Sequence, residues 1–153
     1  MTLKIQSEPC DDSEHDLHTV LAFSLFFPVL TNCDMERRFE AGDDLVFQLE
    51  SGYGLLRVLG VSGDDSDPVW HLSAYQELFP DVDAAEAALT RPLELHPAIP
   101  HMALSSRAFE RTPAAKIGQR PLSVQEGSLV RKWSEQKSKE VSDRSVLLML
   151  GLR

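Results

Sequence analysis

Three histidines are the residues of this chain most open to coordination chemistry. His71 lies in the run Val69-Trp70-His71-Leu72-Ser73-Ala74-Tyr75, and His96 and His101 bracket the stretch His-Pro-Ala-Ile-Pro-His. Three imidazoles could hold a zinc ion. Their spacing matches neither an HExxH helix nor a CxxC pairing, and Pro97 and Pro100 splay the two flanking rings. They are read as surface or hydrogen-bonded histidines, with no metal and no cofactor expected. Gly63-Asp64-Asp65-Ser66-Asp67 gathers carboxylates as a calcium loop does. It lacks the alternating order of ligands, the central glycine and the closing glutamate, so a solvated hairpin loop is expected. Gly52-Tyr53-Gly54 has no third glycine and opens a strand, which excludes a dinucleotide fingerprint and a P-loop. No serine sits in a G-x-S-x-G elbow. A hydrolase is therefore a reading without a site, and no catalytic residue is assigned.

Charge offers a second kind of chemistry. The net charge is −9, but residues 1–90 hold 18 acids against 4 bases while residues 91–153 hold 6 against 11. Arg107, Arg111, Lys116 and Arg120 recur at near-regular intervals, and Arg131, Lys132, Lys137 and Lys139 follow. Converging on one face, they could track a phosphate backbone, which makes a nucleic-acid-associated accessory protein the first alternative function. The overall negative charge opposes it through long-range repulsion. Attraction between an acidic and a basic half of one fold is the plainer account.

Aromatic side chains offer a third. Trp70 and Tyr75 stand five apart, on opposite faces of a regular strand, so only one of them is needed in a core. Phe79 and Phe109 are apolar anchors in connecting segments. With the acidic residues Asp64 and Asp65, the aromatics Trp70, Tyr75 and Phe79 are the candidate contact residues for a protein partner, since such aromatics concentrate at binding hot spots.

The elements that must position these residues begin at Asp43. Leu45, Phe47 and Leu49 alternate with Val46, Gln48 and Glu50, a period of two with one apolar face. Ser51-Gly52 reverses the chain and Tyr53–Val61 returns, with Gly54 and Gly60 as points of bend or bulge. Ser62–Pro68 reads as a loop and Val69–Tyr75 as a third strand, which predicts a meander. Asp81–Thr90 reads as a short alanine-rich helix capped by Asp81 or Asp83. Ile99–Leu104 reads as a strand, Ser105–Glu110 as a turn of helix, and Thr112–Gly118 as a loop or helical turn. Ser123 and Glu126 form a capping box ahead of Leu129, Val130 and Trp133 on one face, with Lys132, Lys137 and Lys139 toward the C-terminal end. Val146–Leu150 is a buried apolar element, either a strand or a helix capped by Ser142 and ended by Gly151. Together these give an α+β fold: a small, curved antiparallel sheet with C-terminal helices packed on it.

One domain fits 153 residues of which 42% are hydrophobic. It is expected over residues 35–153, with 1–34 as an N-terminal extension and Met35 as a candidate translation start; packing of Val20–Leu30 on the sheet is the competing reading. That apolar run contains Pro28 and is shorter than the roughly 20 residues of a spanning helix. The residues before it are acidic, unlike the start of a signal peptide. Cys10 and Cys33 are then free thiols of a cytoplasmic protein.

Residues 39–59 resemble the opening hairpin of SH3-like barrel domains, and most nearly the bacterial immunity protein 26-like group. The matching residues are Gly42-Asp43, Phe47, Leu49, Gly52, Tyr53-Gly54 and Arg57-Val58. The chain departs from the pattern at the additional Asp44 and after Val61. The resemblance implies an SH3-like start to the sheet and a bacterial protein that binds another protein, with no catalysis.

Overall fold

The computed structural model describes residues 39–152. The extension 1–34, its apolar run, Met35 and both cysteines lie outside the described residues.

Five strands form a curved, open antiparallel sheet: β1 (Asp43–Leu49), β2 (Gly52–Asp64), β3 (Asp67–Phe79), β4 (Pro97–Ser105) and β5 (Ala114–Gln119). Their order is β4-β3-β2-β1-β5, so four consecutive strands make a meander and the fifth returns to the free edge of β1. The helices are α1 (Val82–Leu89), α2 (Ser106–Glu110), α3 (Val124–Ser134) and α4 (Val146–Met149). The architecture is α+β, with the C-terminal helices packed on the sheet.

Several local readings need correction. Leu49 pairs with Gly52, so the first reversal is at Glu50-Ser51 and Gly52 already belongs to β2. Residues 62–68 are a continuation of the ladder: Asp64 pairs with Asp67, leaving only Asp65-Ser66 as a turn. Residues 114–118 are strand, neither loop nor helical turn. Ala114, Ala115 and Lys116 carry little β propensity of their own; the open edge of β1 supplies the hydrogen-bonding partner that makes them a strand. Val146–Met149 is helical, with Ser145 at its N-cap rather than Ser142 and Leu150 at its C-cap, and Gly151 follows at φ +72°. Ser142 instead bridges to Leu104.

Alternation sends the strand side chains to two faces. One face carries Leu45, Phe47, Leu56, Val58, Trp70, Leu72 and Leu104, covered by Phe109 of α2 and Val146 of α4. The other carries Val46, Leu55, Tyr53 and Tyr75 beneath Ala85 and Leu89 of α1. Gly54 is required by packing: a Cβ there would run into the Phe47 ring on the neighbouring strand. Register shifts between Gly54 and Leu56 and between Val58 and Gly60 bend β2 and let one sheet serve both layers.

Candidate functional site

The capping of α2 positions one side of a large pocket. Ser105 Oγ accepts the Ala108 N–H, which starts the helix and turns Phe109 inward. Phe109 then lies 4.7 Å from Trp70, centroid to centroid, and Phe39 packs edge-on against both rings. The Trp70 indole N–H donates to Ser106 Oγ at 3.3 Å, and that hydroxyl donates to the Pro68 carbonyl at 3.0 Å. These bonds hold the Trp70 ring against the tip end of the β2–β3 hairpin. A pocket of about 630 Å³ opens here, lined by Trp70, Phe109, Phe39, Thr112 and Ser66 and reaching Val46, Tyr53 and Val82 of the layer under α1. Its volume is in the range of small-ligand and side-chain anchor sites.

The lining is aromatic and apolar with few polar groups. One of these is unusual. Thr112 is 3% exposed, and its hydroxyl has no hydrogen-bond partner among the described residues. The rim is acidic: Asp64, Asp65 and Asp67 are exposed on the hairpin whose Ser66 and Pro68 line the pocket, and Glu110 lines it from α2.

No known family model, curated protein or solved structure matches this chain. The site is therefore read from its own geometry.

The candidate contact residues divide. Trp70 lies in the pocket wall, and Asp64 and Asp65 stand beside its mouth. Tyr75 and Phe79 do not line the pocket; they pack in the layer under α1 with Val82 and Leu89. The Tyr75 hydroxyl accepts from Arg120 at 3.4 Å, and burial pushes its pKa up.

The candidate cations do not gather on one face. Arg120 grips Asp44 with two bonds of 2.7 Å, and the hydrogen bonds to that carboxylate push the already high guanidinium pKa higher. Lys116 pairs with the buried Asp43 at 2.7 Å. Arg111 donates to the Asp143 carbonyl. Arg107 and Arg111 flank the face covered by α2, whereas Arg131 and Lys132 ride on α3, which packs through Val130 and Trp133 on the opposite face.

The histidines also separate. His96 is exposed and bonds Glu77 at 2.8 Å. The His71 and His101 rings are near-parallel with centroids 5.3 Å apart, and His71 Nδ1 lies 3.1 Å from His101 Nε2. Among the described residues no group of three or more metal-type ligands forms.

The buried ionic centre escaped the sequence reading. Arg57, 1% exposed, bonds Asp44, Glu126 and the carbonyls of Gly42, Arg120 and Pro121. The available signal was an arginine inside an otherwise apolar strand, opposite two adjacent aspartates. Gly42 is needed for this centre: at φ +95°, a Cβ would lie 2.5 Å from the Arg120 carbonyl oxygen. This cluster is internally satisfied and ties β1, β2, β5 and α3 together. It frames the molecule and leaves the pocket as the place open to a ligand.

Among the described residues no helix is long and apolar enough to cross a membrane.

Proposed function

We propose that this is a small bacterial cytoplasmic binding module of the immunity type. It captures a basic protein partner by seating an apolar side chain in the Trp70–Phe109 pocket and pairing nearby cations with the acidic hairpin tip. The carrying observation is continuity: Ser66 and Pro68 belong both to the pocket wall and to the hairpin that displays Asp64, Asp65 and Asp67. An apolar pocket supplies binding energy by removing an anchor from water, while rim charges choose the partner and speed encounter. The resemblance of residues 39–59 to immunity-type domains supports a protein as the occupant. The pocket is assigned no chemical step.

The test uses the two tryptophans of the chain. In Trp133→Phe protein, Trp70 is the sole indole and reports on its own pocket. Peptides with a phenylalanine anchor between lysines are titrated against the same anchor between glutamates. Saturable fluorescence change with the lysine peptides, weakened by salt and by Asp64→Asn/Asp65→Asn, is expected. No saturable change with either series, or equal binding of both, overturns the reading.

A further inference from the structure

A second site lies on the opposite face of the sheet. Ser62 Oγ is 2.7 Å from His71 Nε2, and His71 Nδ1 is 3.1 Å from His101 Nε2. The two ring nitrogens of His71 thus have different partners, in the order hydroxyl, imidazole, acceptor. A nucleophile, its base and a group orienting that base require this order, whatever fold carries them. Two sets of tautomers satisfy these bonds. The chemistry uses the one in which the Ser62 hydroxyl donates to His71 Nε2, His71 Nδ1–H donates to His101 Nε2, and His101 keeps its own proton on Nδ1.

Burial divides in the sense that this chemistry needs. His71 is fully buried, whereas Ser62 and His101 keep part of their surface. The His71 ring is fixed by its bond to His101, whose ring lies 19° from parallel at 5.3 Å, and by the edge contact with Trp133 of α3 at 4.6 Å. Desolvation, with the His101 charge second, lowers the His71 pKa to about 4. At neutral pH the ring is uncharged, and in the tautomer with its proton on Nδ1 the Nε2 lone pair can take a proton.

A donor for a developing oxyanion follows from the register. Pairing of β1 with β2 ends at Arg57, and the Val58 carbonyl takes the Gly42 N–H. Pairing of β2 with β3 continues to Asp64. Beyond Val58, therefore, β2 has a strand on one side only among the described residues. Successive N–H groups in a strand point to opposite edges, so an N–H of Ser62 or of an adjacent residue faces the unpaired edge. A backbone N–H beside the nucleophile is the type of donor that stabilises an acyl-transfer oxyanion.

We propose that Ser62 is a nucleophile toward short-chain acyl esters, with His71 as its general base and His101 as the positioning residue for His71. Ser62 Oγ bonds the acyl carbon as its proton passes to His71 Nε2. The ester C–O bond then breaks and the leaving alcohol carries that proton away. Water repeats the sequence on the acyl-serine, releasing the carboxylic acid and restoring the hydroxyl. Ser62 sits at a strand edge outside the large pocket, so its acyl group must be short enough to need no cavity.

The test is labelling of the full-length chain with a fluorophosphonate, which phosphonylates an activated serine and releases fluoride. Peptide mapping by mass spectrometry is expected to place the adduct on Ser62, at least tenfold faster than on any other serine, with none in Ser62→Ala. The labelling rate falls in acid as His71 protonates. His101→Gln, at a partly exposed position, is expected to slow labelling about tenfold. It also moves the acid limb to higher pH, because the His101 charge no longer depresses the His71 pKa. A role limited to packing would leave that limb in place. Absence of an adduct on Ser62, labelling no faster than at other serines, or an unshifted pH profile in the folded His101→Gln protein overturns the proposal.

Discussion

Arg57 Nη1 lies 3.1 and 3.2 Å from the two carboxylate oxygens of Asp44, and both side chains are almost wholly withdrawn from water. Arg120, the residue after β5, holds the same carboxylate. One Asp44 side chain thus joins the first, second and last strands of the sheet. Its value comes from completeness: removal of the carboxylate leaves two guanidiniums facing each other across a buried space.

Asp44→Ala is therefore expected to cost about 3–5 kcal/mol, the range for breaking a buried ion pair from one side. Chemical denaturation of the wild type and variant measures it. A cost under about 1 kcal/mol would show that solvent reaches the two arginines and that the cluster is not a clamp.

The imidazole pair makes stability depend on pH. Burial, then the His101 charge, holds His71 near 4 against an ordinary value of 6.5, and burial also lowers His101. The unfolded chain binds these protons more readily than the folded one. The stabilising contribution is thus complete above about pH 6.5 and is lost as pH falls toward 4, by on the order of 3 kcal/mol for His71 alone. His101 of β4 is the charged neighbour that lowers His71; Lys139 Nζ, the cation nearest the cluster's Trp133, lies 5.7 Å from that ring and does not enter the shift. Glu126 adds to the acid loss at lower pH: burial raises its pKa, but the Ser123 bonds and Arg57 outweigh that and lower it. Melting temperatures from pH 8 to 4 should fall, and His71→Gln, where it folds, should flatten the decline above pH 5.

The start of α3 separates a local cap from a tertiary one. Ser123 Oγ accepts the Glu126 N–H at 3.2 Å, and Glu126 accepts from the Ser123 N–H at 2.7 Å. Glu126 also bonds Arg57 Nε across the sheet. Ser123→Ala removes one capping bond and is expected to cost about 1 kcal/mol. Glu126→Ala removes the reciprocal cap and a partner of a buried guanidinium, so it should cost at least twice as much. Equal costs would mean that the Arg57 contact contributes nothing.

The parts of this fold legible in the sequence were those written in local chemistry. The Leu45–Leu49 alternation, the Asp81 cap and the Ser123–Glu126 box each depend on neighbours a few residues away. Residues 114–118 were misread because their strand character is borrowed from β1, some 70 residues upstream. The Ser62–His71–His101 relay was hidden for the same reason: register between three strands brings it together, not spacing. By type His71 and His101 read as candidate metal ligands, whereas Ser62 opens a Gly-, Asp- and Ser-rich stretch that reads as a loop. Trp70 was recognisable as a contact aromatic, but its pocket needed Phe109 and Thr112, which arrive from α2 and the turn beyond it.

Thr112 tests whether that pocket is built to receive a ligand. Its hydroxyl is buried without a partner among the described residues, an arrangement that costs about 1–3 kcal/mol of desolvation. Valine has nearly the same shape and no polar atom. Thr112→Val is thus expected to stabilise the free protein by about 1 kcal/mol, read from denaturation midpoints. The same hydroxyl can bond a polar tip on an incoming side chain, so wild-type protein should prefer a tyrosine-anchored lysine peptide over the phenylalanine one. Thr112→Val should abolish that preference while leaving the phenylalanine peptide bound. A destabilised Thr112→Val protein would show that the hydroxyl has a partner in the free chain; an unchanged tyrosine preference would show that it does not face the ligand.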